Sequence, residues 1–504
     1  MQISKSDYLM FLKHPAWLWL KKHSPEKLPP VDDDLQAIFD AGFLFESYAE
    51  QLFPDATKLE YDRSDRNAYK QLTANTKQVI ESGATTIIQG RFEAGDITCI
   101  SDVLVKTGDK AFDLYEIKST TEVKNEHIPD LSFQMAVIEN NGYIVNKIYV
   151  IHVNNKYVRN GKVKASDITT VTEVTDKVKE LRDETEQNIK EALKVIDLKK
   201  CPDISPSLTR LGAFGEWLGI YKTLANVKEY SIYNLCSPGA SKIGKLEALG
   251  IKNIADIPDG FKLDAKQLRQ FQTTKNDTIF VEKNQIKKFL SQLKFPLYFL
   301  DYETLSSVIP YFDGLGPYKQ LPFQYSLHVL DKPNGEVKHF EYLHTSNSNP
   351  LKPLTETLKS QIGDEGTVLV WCEGFEKSCN VLMGTIASEY EKFYKKLNAR
   401  IVDLMIPFST GLYVHKDFFG SASIKKVLPV VIPDLSYKEL DINAGGAAQR
   451  LWMEAVLDGK RAKEKDKILS DLSKYCELDT LAMVRIYQHL IEISGESNGV
   501  KVEV

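Results

Sequence analysis

The sequence predicts a mixed α/β protein of several domains. Two observations carry this. At 504 residues the chain is too long for one ordinary core, and a length prior suggests about three domains. Two β-rich blocks, around 85–153 and 297–372, are each accompanied by segments of helical periodicity. The composition is that of a soluble globular chain, with 43% hydrophobic and 26% charged residues.

Residues 1 to about 80 read as helical, with apolar residues at helical spacing over 35–53 and a stop at Phe53-Pro54-Asp55-Ala56. Strands follow at 85–92, 97–105, 112–119 and 147–153, with a helix over 131–139 between the third and fourth. A charged amphipathic helix over 175–200, with Val178, Leu181, Ile189, Leu193 and Ile196 near one face, closes a first domain at residue 200. Residues 201–290 read as a small helical joining segment. Within it, 243–260 has the pattern helix, glycine turn, short helix. That pattern is either a phosphate-holding helix-hairpin-helix or a packed linker, and the packed linker is weighted about two to one because short motifs are weak. Strands return at 297–303, 323–331, 337–345 and 367–372. Pro333-Asn334-Gly335 forms a hairpin turn, and a helix over 469–493 ends a domain spanning 291–495. The last dozen residues have the composition of a disordered tail.

Several function classes are disfavoured. The formal net charge of −5 leaves no global basic footprint, so nucleic-acid binding has to rely on local patches such as Lys242, Lys245 and Lys252. No apolar run approaches a membrane span; Lys13 and His14 interrupt the apolar N-terminus and no cleavage signal follows, so a cytoplasmic protein is expected. The six cysteines form no CxxC pair and the nine histidines no HExxH.

Two sets of residues carry chemistry. In the second block Asp301-x-Glu303 sits at the end of an apolar strand, and period two sends both carboxylates to one face. Paired buried acids are costly unless something positive binds them, and a hard divalent metal is the usual answer. Tyr475 and Asp479, four apart on a helix, share a face. Glu376 follows a strand and Asp403 lies in Ala399–Phe408, so either can complete a set for two-metal phosphodiester cleavage. Taken singly, each acid is more often a surface residue or a helix cap. In the first block, Asp102 and Glu116 can hold a metal, and Lys118, on the same strand face as Glu116, can neutralise developing phosphate charge.

The order DxE, FE, YxxxD resembles the tyrosine-bearing DEDD exonucleases of the DnaQ-like, ribonuclease-H-fold group. It is closer still to an uncharacterised bacterial family there, through PYFDGLGPYKQLPFQYSLH (310–328), GFEK (374–377), RIVDLM (400–405), GSASIKKVLP (420–429) and YCELDTLAM (475–483). That resemblance implies a ribonuclease-H-like C-terminal domain, with Asp301, Glu303, Glu376 and Asp479 as metal ligands and Tyr475 assisting. The second motif departs from NxxFD: Cys372 and Glu376 stand at the Asn and Asp places, which leaves Asp403 as the other candidate. The N-terminal order, SKSDYLMFLKHP, Asp102, Glu116-Ile117-Lys118, then Gln134 on a helix, resembles the RecB-like branch of PD-(D/E)xK nucleases that includes CRISPR-associated exonucleases. It implies a restriction-endonuclease-like domain with catalytic Asp102, Glu116, Lys118 and Gln134. Three departures matter. His14 replaces a frequent cysteine, and only Cys201 and Cys236 follow, so no iron–sulfur cluster is expected. Glu46 either replaces the branch's helical ligand or is a core-adjacent surface acid. Ile138 stands where an aromatic is usual.

The resulting expectation is a fusion of two nucleases, both magnesium- or manganese-dependent, with DNA ends or single strands as the favoured substrate. The alternatives are an RNA-processing 3′-exonuclease with a non-catalytic first domain, and a nucleic-acid-binding scaffold with decayed sites.

Overall fold

The computed structural model of the chain describes residues 1–62 and 65–495, so most of the expected tail, from 496 on, lies outside the described residues. The architecture is mixed α/β in two compact units, each discontinuous in sequence. The first comprises Met1–Val227, Gly239–Lys245 and Val308–Pro317; the second comprises Lys228–Pro238, Leu246–Ser307 and the chain from Tyr318 onward. Residues 201–290, read from sequence as a separate joining piece, are divided between the two. Among the described residues no helix is long and apolar enough to cross a membrane.

The first unit opens with helix α1 (Lys5–Lys13). Its start is a capping box: Ser4 Oγ accepts the Asp7 N–H at 3.3 Å, and Asp7 accepts the Ser4 N–H at 2.8 Å. Helix α2 (Pro15–His23) follows, with Pro15 at the first position where its missing N–H costs nothing. Helix α3 (Asp33–Ala49) precedes the sheet. The main strands are β1 (Thr86–Ala94), β2 (Ile97–Lys106), β3 (Ala111–Lys118), β4 (Ile144–Val153) and β5 (Thr169–Glu173), in that spatial order. The β1–β2, β2–β3 and β4–β5 pairs are antiparallel, whereas β3 and β4 are parallel and joined through helix α4 (His127–Glu139). Every residue of α4 from Leu131 to Ile138 is buried, and the Phe133 ring stacks on Tyr8 of α1 at 4.9 Å. The helix expected over 175–200 is two: Thr175–Glu180 and α5 (Arg182–Ile196). The backbone leaves the helical region at Leu181, with φ −86° and ψ 2°, while the Thr175 hydroxyl accepts the Ile148 N–H and ties the first piece to the sheet.

The second unit is built on a five-stranded sheet of β6 (Leu297–Leu305), β7 (Leu321–Leu330), β8 (Val337–Leu343), β9 (Thr367–Val370) and β10 (Ile401–Asp403), in the order β8-β7-β6-β9-β10. The expected meander is present: β7 runs antiparallel to both β6 and β8, and β9 is parallel to β6 and to β10. Every residue of β7 is buried. Three helices complete the frame: α6 (Glu373–Ile386), α7 (Ile424–Val431) and α8 (Lys465–Ser494). α8 lies along β7, where the Gln324 amide donates to the Leu472 carbonyl at 3.0 Å and Ser326 bonds the Thr480 hydroxyl at 2.6 Å.

Trp452, fully buried, stacks on Phe323 at 4.2 Å and donates from Nε1 to the His344 carbonyl at 2.7 Å. Trp452→Ala is expected to cost about 3–5 kcal/mol in urea-unfolding free energy, through lost burial and the cavity left behind. Trp452→Phe, which keeps the ring contact, is expected to cost less.

Residues 243–260 form a helix, Gly239–Ala248, a turn at Gly250 with φ 73°, and a single 3-10 turn, Ile254–Asp256, in place of the expected second helix. Leu246, Ile254 and Ile257 are buried, as in a packed segment.

Candidate functional site

In the second unit, Asp301 and Glu303 lie on one face of β6. The strand does not stop at them but runs on to Leu305, where pairing with β7 continues at Thr304 and Leu305; opposite the acids stand the polar Ser326 and Gln324. α8 supplies Tyr475 and Asp479 one turn apart, as the spacing predicts. With Lys425 of α7 these residues bound a cavity of about 350 Å³, whose wall also contains Trp371 and Phe375. Tyr437 donates to Asp479 Oδ1 at 2.6 Å. Lys425 donates to the Tyr475 hydroxyl at 3.1 Å and to the Asn443 carbonyl at 2.6 Å, its ammonium resting over the Tyr475 and Tyr437 rings.

The electrostatics are those of crowded, dry acids. Burial first, then Asp479, Glu303 and Glu376, hold the Asp301 carboxyl well above the usual range. Burial and Asp479 push Glu303 to about 8, against the pull of Lys425. Asp479 rises only to about 6, because the Tyr437 hydrogen bond and Lys425 oppose its burial. Burial and the same acids drive the Cys476 thiol well above its ordinary value. One ligand atom each from Asp301, Glu303 and Cys476 lie within 4.8 Å of one another. Hard carboxylate donors with only partial cationic compensation fit a magnesium- or manganese-class ion.

The geometry separates Glu376 from Asp403. Glu376 is buried on α6, and its Oε2 has no hydrogen-bond partner among the described residues. Burial and then Asp403 raise its carboxyl to about 8. Asp403 is already committed to the backbone: Oδ1 accepts the Cys372 and Met405 N–H groups at 3.1 and 2.9 Å, and Oδ2 accepts that of Glu373 at 3.3 Å. It thereby caps the start of α6, where Cys372 has φ 87°, a conformation that asparagine at this place would adopt more easily. Asp403→Ala is expected to cost about 1–2 kcal/mol of stability, read as a lowered urea midpoint.

Glu303 and Glu376 both titrate near 8 when folded, against an ordinary 4.5. Between those values the folded state binds more protons than the unfolded one, so their contribution to stability is full below 4.5 and lost as pH rises through 8. Melting temperatures measured in chelator are expected to fall over that window, with a smaller fall in Glu303→Gln.

In the first unit, two strands and two helices bring the predicted residues together, and α1 adds Lys5. Asp102 lies mid-strand in β2, where Oδ2 accepts the Ile117 N–H at 2.8 Å. Glu116, buried on β3, receives Lys118 at 2.7 Å and Lys5 at 2.8 Å on Oε1, and the Gln134 amide at 2.7 Å on Oε2. Lys118 also binds Asp130 at 2.7 Å. Glu46 on α3 is half-buried, accepts from the Gln89 amide, and adds its charge to the field at Asp102. Burial and Glu116 push Asp102 up to about 7 despite Lys5. Burial opposes ionisation of Glu116, but Lys118 and Lys5 bring it down to about 2. As arranged, Glu116 Oε1 carries two ammonium groups and Oε2 the Gln134 amide, so the site is charge-compensated without a divalent ion, and an ion enters only as one ammonium gives way. Ile138 is buried in the core. His14, where the branch often has cysteine, is a buried cap: Nδ1 accepts the Ala16 N–H at 3.1 Å, Nε2 donates to the Ser205 carbonyl at 3.0 Å, and the ring stacks on Trp217. Cys201 belongs to this unit and Cys236 to the other.

Sequence reasoning missed Lys5, Asp130, Lys425 and Tyr437. Lys425 stands inside GSASIKKVLP, and Lys5 inside the SKSDYL opening, so both were signalled by position without a role. Nothing local marks Tyr437. Another ligand-type group, His328, His339 and Glu477, has atoms within 4.8 Å of one another. Its two imidazoles stack with planes only 26° apart, so their in-plane lone pairs do not converge.

A family model described as Domain of unknown function (DUF2779) matches residues 298–423. The match includes Asp301, Glu303, Glu376 and Asp403 and ends before Lys425, Tyr475 and Asp479. The chain is 27% identical to an uncharacterized protein of Mycoplasma genitalium over 227 residues, 41% of this chain and 34% of that protein. It is 27% identical to that protein's homolog in Mycoplasma pneumoniae over 221 residues, 40% of this chain and 33% of that one. An uncharacterized protein of Ureaplasma parvum is 24% identical over 297 residues, 54% of this chain and 42% of that one. The aligned segments thus span a third to two fifths of the length of these curated relatives, whose names assign them no activity.

Proposed function

We propose that the chain is a metal-dependent nuclease whose principal centre is the carboxylate cavity of the second unit, working as a DnaQ-like DEDD exonuclease on a ribonuclease-H-like fold. The observation that carries this reading is the convergence of half-buried Asp301 with buried Glu303 and Asp479, each in the others' field, beside Tyr475 and Lys425. The sheet order, three antiparallel strands followed by two parallel ones, supports the fold reading. Magnesium or manganese held by Asp301, Glu303 and Asp479, with Glu376, would supply Lewis-acid stabilisation and a water deprotonated near neutral pH. The residues themselves do the positioning. The Tyr475 hydroxyl orients the attacking water, and the Lys425 ammonium neutralises charge on the phosphate. Trp371 and Phe375, in the cavity wall, offer faces on which unpaired bases can stack. The first unit is read as a RecB-like PD-(D/E)xK domain of restriction-endonuclease-like fold. Asp102 within one strand, Glu116 and Lys118 on its neighbour and Gln134 on the following helix support that reading. DNA ends or single strands are the favoured substrate.

The test is degradation of single- and double-stranded DNA and RNA with Mg²⁺ or Mn²⁺ by the wild type, Lys118→Ala and Asp301→Ala/Glu303→Ala. DNA loss that requires Asp301 and Glu303 supports the proposal. Loss of RNA alone, with Lys118→Ala silent, favours an RNA-processing enzyme. Binding without cleavage under either ion leaves a nucleic-acid-binding scaffold.

A further inference from the structure

We propose that the Lys5 ammonium is a resident cation of the first unit's carboxylate site and competes with a divalent ion for Glu116 and Asp102. The inference rests on reading that site as a nuclease centre, and it addresses the misfit between its carboxylates and a metal. Lys5 is delivered by pinned backbone: Ile3–Ser4 pairs in parallel with β2 at Ile97 and Thr98, and the Ser4–Asp7 capping box sets the first turn of α1. Its ammonium lies 2.8 Å from Glu116 Oε1 and 3.7 Å from Asp102 Oδ1, spanning the two acids that the nuclease reading assigns to a metal. Lys118 binds the same Glu116 oxygen but is anchored again on Asp130 at 2.7 Å. Among the described residues Lys5 has no second contact that short, so of the two lysines it is the one that leaves. Its side chain is 22% exposed, and its flexible stem lets the ammonium withdraw toward solvent without disturbing the core. Lys5 alone of the two lysines spans from Glu116 to Asp102, so a divalent ion bridging these acids meets its charge at the shared oxygens, and withdrawal of Lys5 lowers that repulsion while Lys118 stays anchored on Asp130.

The experiment is Mn²⁺ binding by the full chain, followed by electron paramagnetic resonance, in an Asp301→Asn/Glu303→Gln background that silences the other centre. Lys5→Met, which keeps the stem and removes the charge, is expected to bind Mn²⁺ about tenfold or more tightly than the Lys5 parent. Lys5→Arg, which keeps the charge, is expected to match the parent, and adding Glu116→Gln to Lys5→Met is expected to abolish the gain. If the parent binds Mn²⁺ through Glu116 and Lys5→Met binds it no more tightly, the competition is overturned while the metal reading of the site stands. If neither protein binds Mn²⁺ through Glu116, both are overturned.

Discussion

Asp301→Asn/Glu303→Gln is expected to lower divalent-dependent hydrolysis about a thousandfold or more while raising the melting temperature of the metal-free protein above about pH 8, where Glu303 ionises. The two effects have one cause. Both side chains project from the same face of β6 into a cavity they share with Asp479, and burial together with mutual repulsion raises both carboxyls. Amides of the same shape remove the repulsion and with it the ligand charge. A site that costs stability when empty and is required for activity is what stored electrostatic strain at a functional centre looks like. Release of acid-soluble nucleotides and calorimetry in chelator read the two halves. Activity within tenfold of wild type would remove these acids from the chemistry.

Lys425→Met is expected to lower kcat about a hundredfold and to move the acid limb of the pH–rate profile to higher pH. Lys425 is the cation that pulls down Asp301, Glu303 and Asp479. Without it their carboxyls rise further, and a higher pH is needed to ionise them. Methionine keeps the stem that packs against the Tyr475 and Tyr437 rings, which separates the charge from the packing. Lys425→Arg is expected to retain part of the rate and most of the pH profile. An unchanged acid limb in Lys425→Met would make Lys425 a packing residue.

The parts of both sites legible in the sequence are those fixed by local periodicity. Asp301 and Glu303 two apart on a strand, Glu116 and Lys118 likewise, and Tyr475 and Asp479 four apart on a helix each meet because their element repeats. What was not legible depends on partners distant in the chain. Lys5 reaches Glu116 across 111 residues, and Tyr437 reaches Asp479 across 42. The role of Asp403 was equally hidden, because an acid beside a strand reads the same whether it binds a metal or caps a helix; only its bonds to the Cys372, Glu373 and Met405 amides decide. Chain order also misplaces the PYFDGLGP run. Val308 and Ile309 pack into the first unit beside Phe45, and Arg159 donates to the Pro310 and Tyr311 carbonyls at 2.6 and 2.7 Å. An excursion of ten residues between elements of another unit carries no periodic signal of its own.

Calorimetric titration of Mn²⁺ into the full chain, run near pH 8 in two buffers of different ionisation heat, asks whether the Asp301–Glu303 cavity holds a metal. The wild type is expected to bind Mn²⁺ with release of protons from the raised carboxyls, and Asp301→Asn/Glu303→Gln is expected to lose that binding. Identical isotherms for the two proteins would contradict the assignment of this cavity as a metal centre.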